Sequence, residues 1–170
     1  MKKCALITGA AGGLGKAFAA ECASRGWDLF LTDLRSDLLP PLVAGLGRLY
    51  GVEVHSFPCD LTDHISRERL WEKIRGVGCQ FHFLINVAGN GDEGPFTDRN
   101  PEDLRTLLRL NVEAMVDMTR QVLPFRDPAN PFHIINISSL AGFFPMPLKA
   151  VYAASKRFVI DFSLALGEEL

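Results

Sequence analysis

The sequence carries almost no excess of charge of either sign. It has 18 lysine and arginine residues against 20 aspartate and glutamate residues, a formal net charge of −2 at pH 7. A protein that binds nucleic acid or an acidic membrane surface electrostatically has a clear basic excess, so neither partner is expected. The sequence also lacks an apolar run long enough to span a bilayer. We therefore expect a soluble globular protein, with residues 1–170 forming one domain around a substantial core.

Cysteine and histidine are scarce and scattered. The four cysteines stand at positions 4, 22, 59 and 79, without the closely spaced pair that a zinc site or a redox motif uses. The four histidines are isolated from one another. We therefore expect no metal site and no disulfide framework, but reduced and mostly buried thiols in a cytoplasmic protein.

A glycine-rich turn near the start of the chain organises what is present. Residues 4–7 form a short apolar run typical of a buried strand, and residues 8–15 (Thr-Gly-Ala-Ala-Gly-Gly-Leu-Gly) break it. A helical pattern follows over residues 16–25, with Gly26 as its expected C-terminal cap. Strand, glycine turn and helix together present free backbone N–H groups and the positive end of a helix dipole to a phosphate. A flexible turn without a ligand is the alternative, but the flanking pattern favours nucleotide binding.

Short apolar runs alternate with helical patterns along the rest of the chain. This alternation predicts an α/β, doubly wound, Rossmann-like fold, in which helices cover both faces of one parallel sheet. Ligands of such a fold lie at the carboxyl ends of the strands. The predicted strands are residues 4–7, 28–32, 52–57, 81–85 and 132–137, and the predicted helices are residues 16–25, 41–50, 63–75, 101–123 and 151–170.

Two aspartates follow predicted strands. Asp33 comes 18 residues after Gly15, about where a dinucleotide-binding fold places an acid on the adenosine ribose. A carboxylate accepts hydrogen bonds from that ribose and repels a 2′-phosphate, so Asp33 favours NAD(H), while the nearby Arg35 keeps NADP(H) possible. A turn or capping aspartate is the alternative. Asp60 suits either a contact to the adenine amino group or the cap of the next helix, and spacing alone does not decide between them.

Tyr152 and Lys156 stand four residues apart, on one face of the last predicted helix. Such a pair also occurs by chance on solvated helices. A tyrosine with the ordinary pKa of about 10 is a poor general base at neutral pH. A close ammonium group and the positive ring of an oxidised nicotinamide would favour the phenolate. Ser139, after the fifth strand, would then donate to a substrate oxygen from the opposite side.

The ordered set of motifs resembles the short-chain dehydrogenase/reductase family, in its compact single-domain branch. The shared features span the whole chain: the spacing Thr-Gly-x-x-x-Gly-x-Gly, Asp60, residues 86–89, Asn111, the serine pair 138–139, and Tyr152 with Lys156. The family usually has a second asparagine where Val87 stands, a departure from which we expect little effect. Family members also continue beyond the last helix into two further strands. We therefore expect residues 1–170 to be the amino-terminal part of an enzyme, truncated after this helix, with its C-terminal strands missing.

The resemblance implies a role for each matching residue. Tyr152 exchanges a proton with the substrate oxygen, and Lys156 lowers the pKa of Tyr152 and binds the nicotinamide ribose. Ser139 orients the carbonyl, and Asn111 holds a proton-relay water. The implied cofactor contacts are Thr8, Gly9, Gly13, Leu14, Gly15, Asp33, Asp60, Leu61, Asn86, Ala88, Gly89, Tyr152 and Lys156.

The implied activity is an NAD(P)-dependent oxidoreductase that moves a hydride between nicotinamide and a small secondary alcohol or ketone. A catalytically inactive, truncated nucleotide-binding or interaction module is the alternative. The family also implies a homo-oligomer through the helices around residues 101–123 and 151–170. The apolar side chains expected at that interface are Phe158, Phe162, Leu166, Met115 and Met118. Packing of these side chains against the sheet of the same chain is the alternative.

Overall fold

The computed structural model describes residues 3–170, in which five parallel strands form one sheet in the order β3-β2-β1-β4-β5. The strands are β1 (Cys4–Thr8), β2 (Asp28–Asp33), β3 (Val54–Pro58), β4 (Phe83–Asn86) and β5 (His133–Asn136). The α-helices are α1 (Gly13–Ser24), α2 (Leu39–Tyr50), α3 (His64–Val77), α4 (Pro101–Leu108), α5 (Met115–Val122) and α6 (Ala150–Glu169). This architecture confirms the predicted fold class.

β1 lies at the centre of the sheet, and each of its faces packs into a different core. Leu6 belongs to one core with side chains of α3 and α5, while Ala5 and Ile7 belong to the other with side chains of α1 and α2. All three side chains have no exposed surface. Because successive side chains of a strand point to opposite faces, a strand buried on both faces is an uninterrupted apolar run.

Helix ends follow the predicted signals closely. Gly26, just beyond α1, has φ 76°, a conformation that glycine adopts without strain. Asn100 followed by Pro101 predicts the start of a helix. The Asn100 side chain accepts a hydrogen bond from the Glu102 N–H at 2.9 Å and thereby caps α4, as predicted. α2 begins at Leu39 with its prolines in the first turn, where a missing N–H is harmless.

The spacing of Ile65, Leu70, Trp71 and Ile74 predicts an apolar stripe on α3. The last three are buried, but Ile65 is 47% exposed, and Arg67 is buried on the same helix.

The helix predicted over residues 101–123 is interrupted. A π-helical segment, Arg109–Ala114, separates α4 from α5 and shifts the side chains that follow it around the helix axis. Met115 and Met118 are buried inside this chain, and Met118 belongs to the same core as Leu6 of β1. The expectation that these two methionines face a partner subunit is therefore wrong.

The cysteines, possible metal ligands and possible membrane-spanning helices were also compared with the structure. All four cysteines are free thiols, and Cys79 alone among them is half-buried rather than buried. No three or more histidine, cysteine, aspartate or glutamate side chains within residues 3–170 are grouped as a metal site requires. Across the same stretch, no helix is both long and apolar enough to cross a bilayer.

Candidate active site

A groove with a volume of about 490 Å³ opens at the carboxyl ends of the strands. That volume lies in the range of small-molecule and cofactor sites. The glycine turn between β1 and α1 forms one wall, and the segments that follow β2, β3 and β4 form the others. The predicted cofactor residues that line it are Gly9, Gly13, Leu14, Gly15, Asp33, Asp60, Leu61, Ala88 and Gly89.

The positions of the turn require glycine for different physical reasons. Gly9 has φ 62°, and a Cβ there would lie 2.8 Å from the Ala88 backbone. A Cβ at Gly15 would overlap the Gly9 carbonyl oxygen, so this glycine lets α1 pack against the turn. A Cβ at Gly13 would meet no atom within 4 Å, because this position faces open space at the groove. Gly13 therefore keeps the backbone at the start of α1 accessible to a phosphate, and the turn fits a dinucleotide.

Thr8 ties the end of β1 to the segment after β4. Its Oγ1 accepts hydrogen bonds from the backbone N–H groups of Val87, at 3.1 Å, and Ala88, at 3.2 Å. Any residue type except proline supplies that backbone donor at position 87. This contact is therefore unaffected by the departure of Val87 from the family pattern.

Asp33 is buried at the edge of the groove and is held by both carboxylate oxygens. Oδ2 accepts from the Ala11 N–H at 2.8 Å, and Oδ1 accepts from the Arg35 N–H at 3.0 Å and from Arg35 Nε at 3.2 Å. Burial opposes ionisation, but the bonds from Arg35 and Ala11 outweigh it and lower the pKa of Asp33 below its ordinary value. Asp33 thus makes the bonds of a turn aspartate and also presents a carboxylate at the groove.

Asp60 does not cap the following helix. Its Oδ1 accepts from the Thr62 N–H at 2.9 Å and from Thr62 Oγ1 at 2.7 Å, whereas the cap of α3 is the Asp63 side chain. Of the two possibilities that the sequence left open, the helix cap is excluded by this geometry. Asp60 stays at the groove wall, in position for a ligand contact.

Lys156 contacts the end of β5, the Tyr152 ring and the loop after β4. Its Nζ donates to the Ile137 carbonyl at 2.9 Å and lies 5.9 Å from the centre of the Tyr152 ring. Burial lowers the pKa of the Lys156 ammonium. A Cβ added at Gly89 would lie 3.3 Å from Lys156 Nζ and 3.2 Å from Asn111 Oδ1, so the loop after β4 touches both side chains.

Two serines follow β5, and the first of them bonds to α6. Ser138 Oγ donates to the Lys156 carbonyl at 2.7 Å, which fixes the helix against the strand end. Ser139 Oγ accepts from the Ala141 N–H at 3.2 Å. Among the described residues, the Ser139 hydroxyl has no acceptor for its own hydrogen, so that hydrogen is available to a ligand.

Asn111 lies in the π-helical segment and is 2% exposed. Its Nδ2 donates to the Asn90 carbonyl at 2.8 Å and to Ser155 Oγ at 3.2 Å, while its Oδ1 accepts from the Asn90 N–H at 2.8 Å. These bonds lock residue 90, beside Gly89, against α6. The predicted water-holding role of Asn111 remains a prediction.

Asn86 is a predicted cofactor residue whose side chain is directed into the sheet instead. Its Nδ2 donates to Asn136 Oδ1 at 2.9 Å and to Thr119 Oγ1 at 3.2 Å. It therefore links β4 to β5 and to α5.

Several groove residues were not predicted from the sequence, because an isolated residue of a common type carries no motif. They are Leu34, Cys59, Thr62, Asn90, Thr106 and Leu110. The spacing of four between the last two, on one helix face, was the only available signal.

Comparison with known proteins shows which protein family this chain matches. The sequence model described as "short chain dehydrogenase" matches residues 3–170. Human 17-beta-hydroxysteroid dehydrogenase type 3 is 34% identical over 99% of this chain and 54% of its own length. The very-long-chain 3-oxoacyl-CoA reductase of Bos taurus is 33% identical over 97% of this chain and 54% of its own length. The chain thus spans about half the length of these curated relatives.

Solved structures give the same result. A short-chain dehydrogenase from Sphingobium yanoikuyae in complex with NADPH has 33% identity and a TM-score of 0.91, over 99% of this chain and 65% of that one. A short-chain dehydrogenase/reductase from Burkholderia phymatum in complex with NAD has 31% identity and a TM-score of 0.90, over 99% and 60% of the two chains.

Proposed function

The chain belongs to the short-chain dehydrogenase family, and from this premise we propose that it functions as an NAD(P)-dependent oxidoreductase acting on secondary alcohols or ketones. The observation that carries the proposal is the position of Lys156, buried between the Ile137 carbonyl, the Tyr152 ring and Gly89. A buried lysine beside a tyrosine, next to a groove with a phosphate-binding turn, suits proton transfer next to a bound dinucleotide.

When bound, the nicotinamide supplies the hydride acceptor or donor of the reaction. In the oxidation direction, Tyr152 acts as the general base that takes the hydroxyl proton of the alcohol, while the hydride leaves the carbon that bears this hydroxyl group. The ammonium of Lys156 lies beside that base, 5.9 Å from the centre of the tyrosine ring. Ser139 donates its hydroxyl hydrogen to the substrate oxygen and holds it in place. In the reduction direction, the Tyr152 hydroxyl returns the proton to the carbonyl oxygen.

NAD(H) is the favoured cofactor because of Asp33. Its carboxylate is charged and lies at the groove edge, where it accepts from a ribose hydroxyl and repels a 2′-phosphate. Arg35 is bonded to that carboxylate and would have to leave it to bind a 2′-phosphate. The similar structures from Sphingobium and Burkholderia contain NADPH and NAD respectively, so NADP(H) is the second candidate.

A homo-oligomer through the outward face of α6 is part of the same proposal. Phe158 is 40% exposed and stacks on Phe162 at 5.8 Å between ring centres. Phe162 itself is half-buried, and a partly exposed aromatic pair on a long helix is the kind of surface that a two-fold interface buries. With Met115 and Met118 buried in this chain, the apolar part of such an interface comes from α6.

The test combines cofactor binding with turnover of a panel of ketones. We expect NADH binding and, in active protein, NADH oxidation that Tyr152→Phe lowers by at least about 100-fold. Dinucleotide affinity should stay within a few-fold, because the phenol acts on the substrate oxygen. Tyr50→Phe, at the other tyrosine of the sequence, is the matched control. A Tyr152→Phe variant with an unaltered rate contradicts the assignment, and binding without turnover favours the non-catalytic module.

A further inference from the structure

Arg67 is a buried cation that the proposed chemistry does not use. It lies on α3, is 5% exposed, and each of its three guanidinium nitrogens bonds a different acceptor. Nε donates to Asp117 Oδ2 at 2.7 Å, NH2 donates to Glu113 Oε1 at 2.8 Å, and NH1 donates to the Leu61 carbonyl at 2.6 Å. Burial alone would lower the pKa of Arg67, but the two carboxylates outweigh burial and raise it.

The carbonyl that Arg67 holds belongs to the wall of the groove. The Leu61 C=O and the Thr62 N–H are two ends of one rigid peptide plane. That same N–H donates to Asp60 Oδ1 at 2.9 Å. A rotation of this plane therefore moves the Leu61 carbonyl and the Asp60 carboxylate together. Arg67 thus acts on the orientation of Asp60 through a residue of the groove wall, although its own side chain does not line the groove.

The two carboxylates bound to Arg67 lie on a different part of the fold. Glu113 is in the π-helical segment that carries Asn111, and Asp117 follows in α5. The Leu61 side chain packs against the same region, in one core with Ala114 and Met118. The turn over residues 60–62 is therefore fastened to the helix that carries a predicted catalytic residue.

We propose that Arg67 is a positioning residue for the adenine end of the cofactor, which it serves by fixing the peptide between Leu61 and Thr62 and hence the Asp60 carboxylate. The proposal rests on the proposed function, since it assumes that a dinucleotide occupies the groove. It adds a residue that lies outside the groove and that no family motif in this sequence includes.

The experiment measures the affinity of the folded chain for AMP, as a probe of the adenine end, and for NADH. Arg67→Lys keeps a charge and most of the aliphatic stem, but a single ammonium cannot replace three nitrogens that point to three elements. We expect AMP and NADH to bind roughly threefold to tenfold more weakly, by the same factor. Arg67→Met should show a larger loss, measured well below its melting temperature. Arg69→Met, at an exposed arginine of the same helix, is the matched control.

A double-mutant cycle separates positioning from simple stabilisation. If Arg67 acts through Asp60, then Arg67→Lys has little further effect on AMP affinity in an Asp60→Ala background. Additive effects contradict the proposal, and so does an Arg67→Lys chain that melts earlier but binds both ligands as the unaltered chain does. An unaltered chain that binds neither AMP nor NADH contradicts the proposed function, and the role of Arg67 in cofactor binding falls with it.

Discussion

At the scale of single residues, two buried charged groups of the site differ in how their neighbours offset the effect of burial on their pKa. Asp33 is buried, yet three hydrogen-bond donors keep its pKa low. Lys156 is also buried, and within residues 3–170 its Nζ donates only to a neutral carbonyl, so burial lowers its pKa. The folded state therefore bears a cost for the charged lysine that it does not bear for the aspartate.

The cost of burying Lys156 gives a pH-dependent stability. The unfolded lysine has a pKa near 10.5 and the folded one a lower pKa, so between these values the unfolded state binds more protons. The free energy of unfolding contributed by this residue therefore rises with pH across that window. We expect the stability of the unaltered chain, relative to Lys156→Met, to increase from pH 7 toward about 10.5 in denaturant titrations. A constant or falling difference contradicts the prediction, and Lys73→Met, at an exposed lysine, is the control.

Asp33 should set the choice between the two cofactors. Asp33→Ser removes the charge that repels a 2′-phosphate and frees Arg35, so the affinity ratio of NADH to NADPH should fall by about tenfold, or about 1.4 kcal/mol. Fluorescence titration of both reduced cofactors measures this ratio. Asp37→Ser, at an exposed aspartate nearby, should leave it unchanged. Tighter binding of NADPH by the unaltered chain would instead make Arg35 the determinant.

At the scale of elements, the glycine turn has a structural part and a binding part. Gly15→Ala places a methyl group on the Gly9 carbonyl, and we expect a loss of about 2 kcal/mol of stability or more. Gly13→Ala adds its methyl group to open space at the groove, so stability should change by less than about 1 kcal/mol while NADH affinity falls by about tenfold or more. Thermal melts and NADH titrations on the same two variants test both statements. Equal effects of the two substitutions on stability would contradict this division.

The sequence predicted these elements well where local chemistry decides them. The cap at Asn100, the left-handed Gly26 and the uninterrupted apolar run of β1 are local signals, and each one appears in the structure. The π-helical segment around Asn111 was not predictable, because helical spacing looks the same on either side of one extra residue. Arg67 was missed for a related reason: its carboxylate partners lie 46 and 50 residues further along the chain.

At the scale of the whole molecule, the candidate site needs segments from nearly the full length of the chain. The segments after all five strands contribute to it: the glycine turn after β1, Asp33 at the end of β2, Asp60 after β3, Gly89 and Asn111 after β4, and Ser139 and Lys156 after β5. The parallel sheet places the carboxyl ends of these strands along one edge. Motif order predicted this assembly because a doubly wound fold fixes which ends of the strands meet. Contacts between side chains at that edge depend on exact helix rotation, and for this reason Asn86 was assigned to the groove although its side chain crosses to β5.

Assembly is the remaining property at this scale, and α6 carries the prediction. Phe158 and Phe162 form a stacked pair on an exposed helix face, where a second copy would bury them against the same pair. Phe158→Glu places a charge in the middle of that contact, so we expect association to weaken by at least about 2 kcal/mol, roughly 30-fold. Light scattering coupled to size-exclusion chromatography over a micromolar concentration range measures the shift. Leu49→Glu, at a 71% exposed leucine on α2, adds the same charge elsewhere and should leave the oligomeric state unchanged. An unaltered chain that is monomeric throughout that range, or a Phe158→Glu chain that associates as tightly, would rule out this face as the interface.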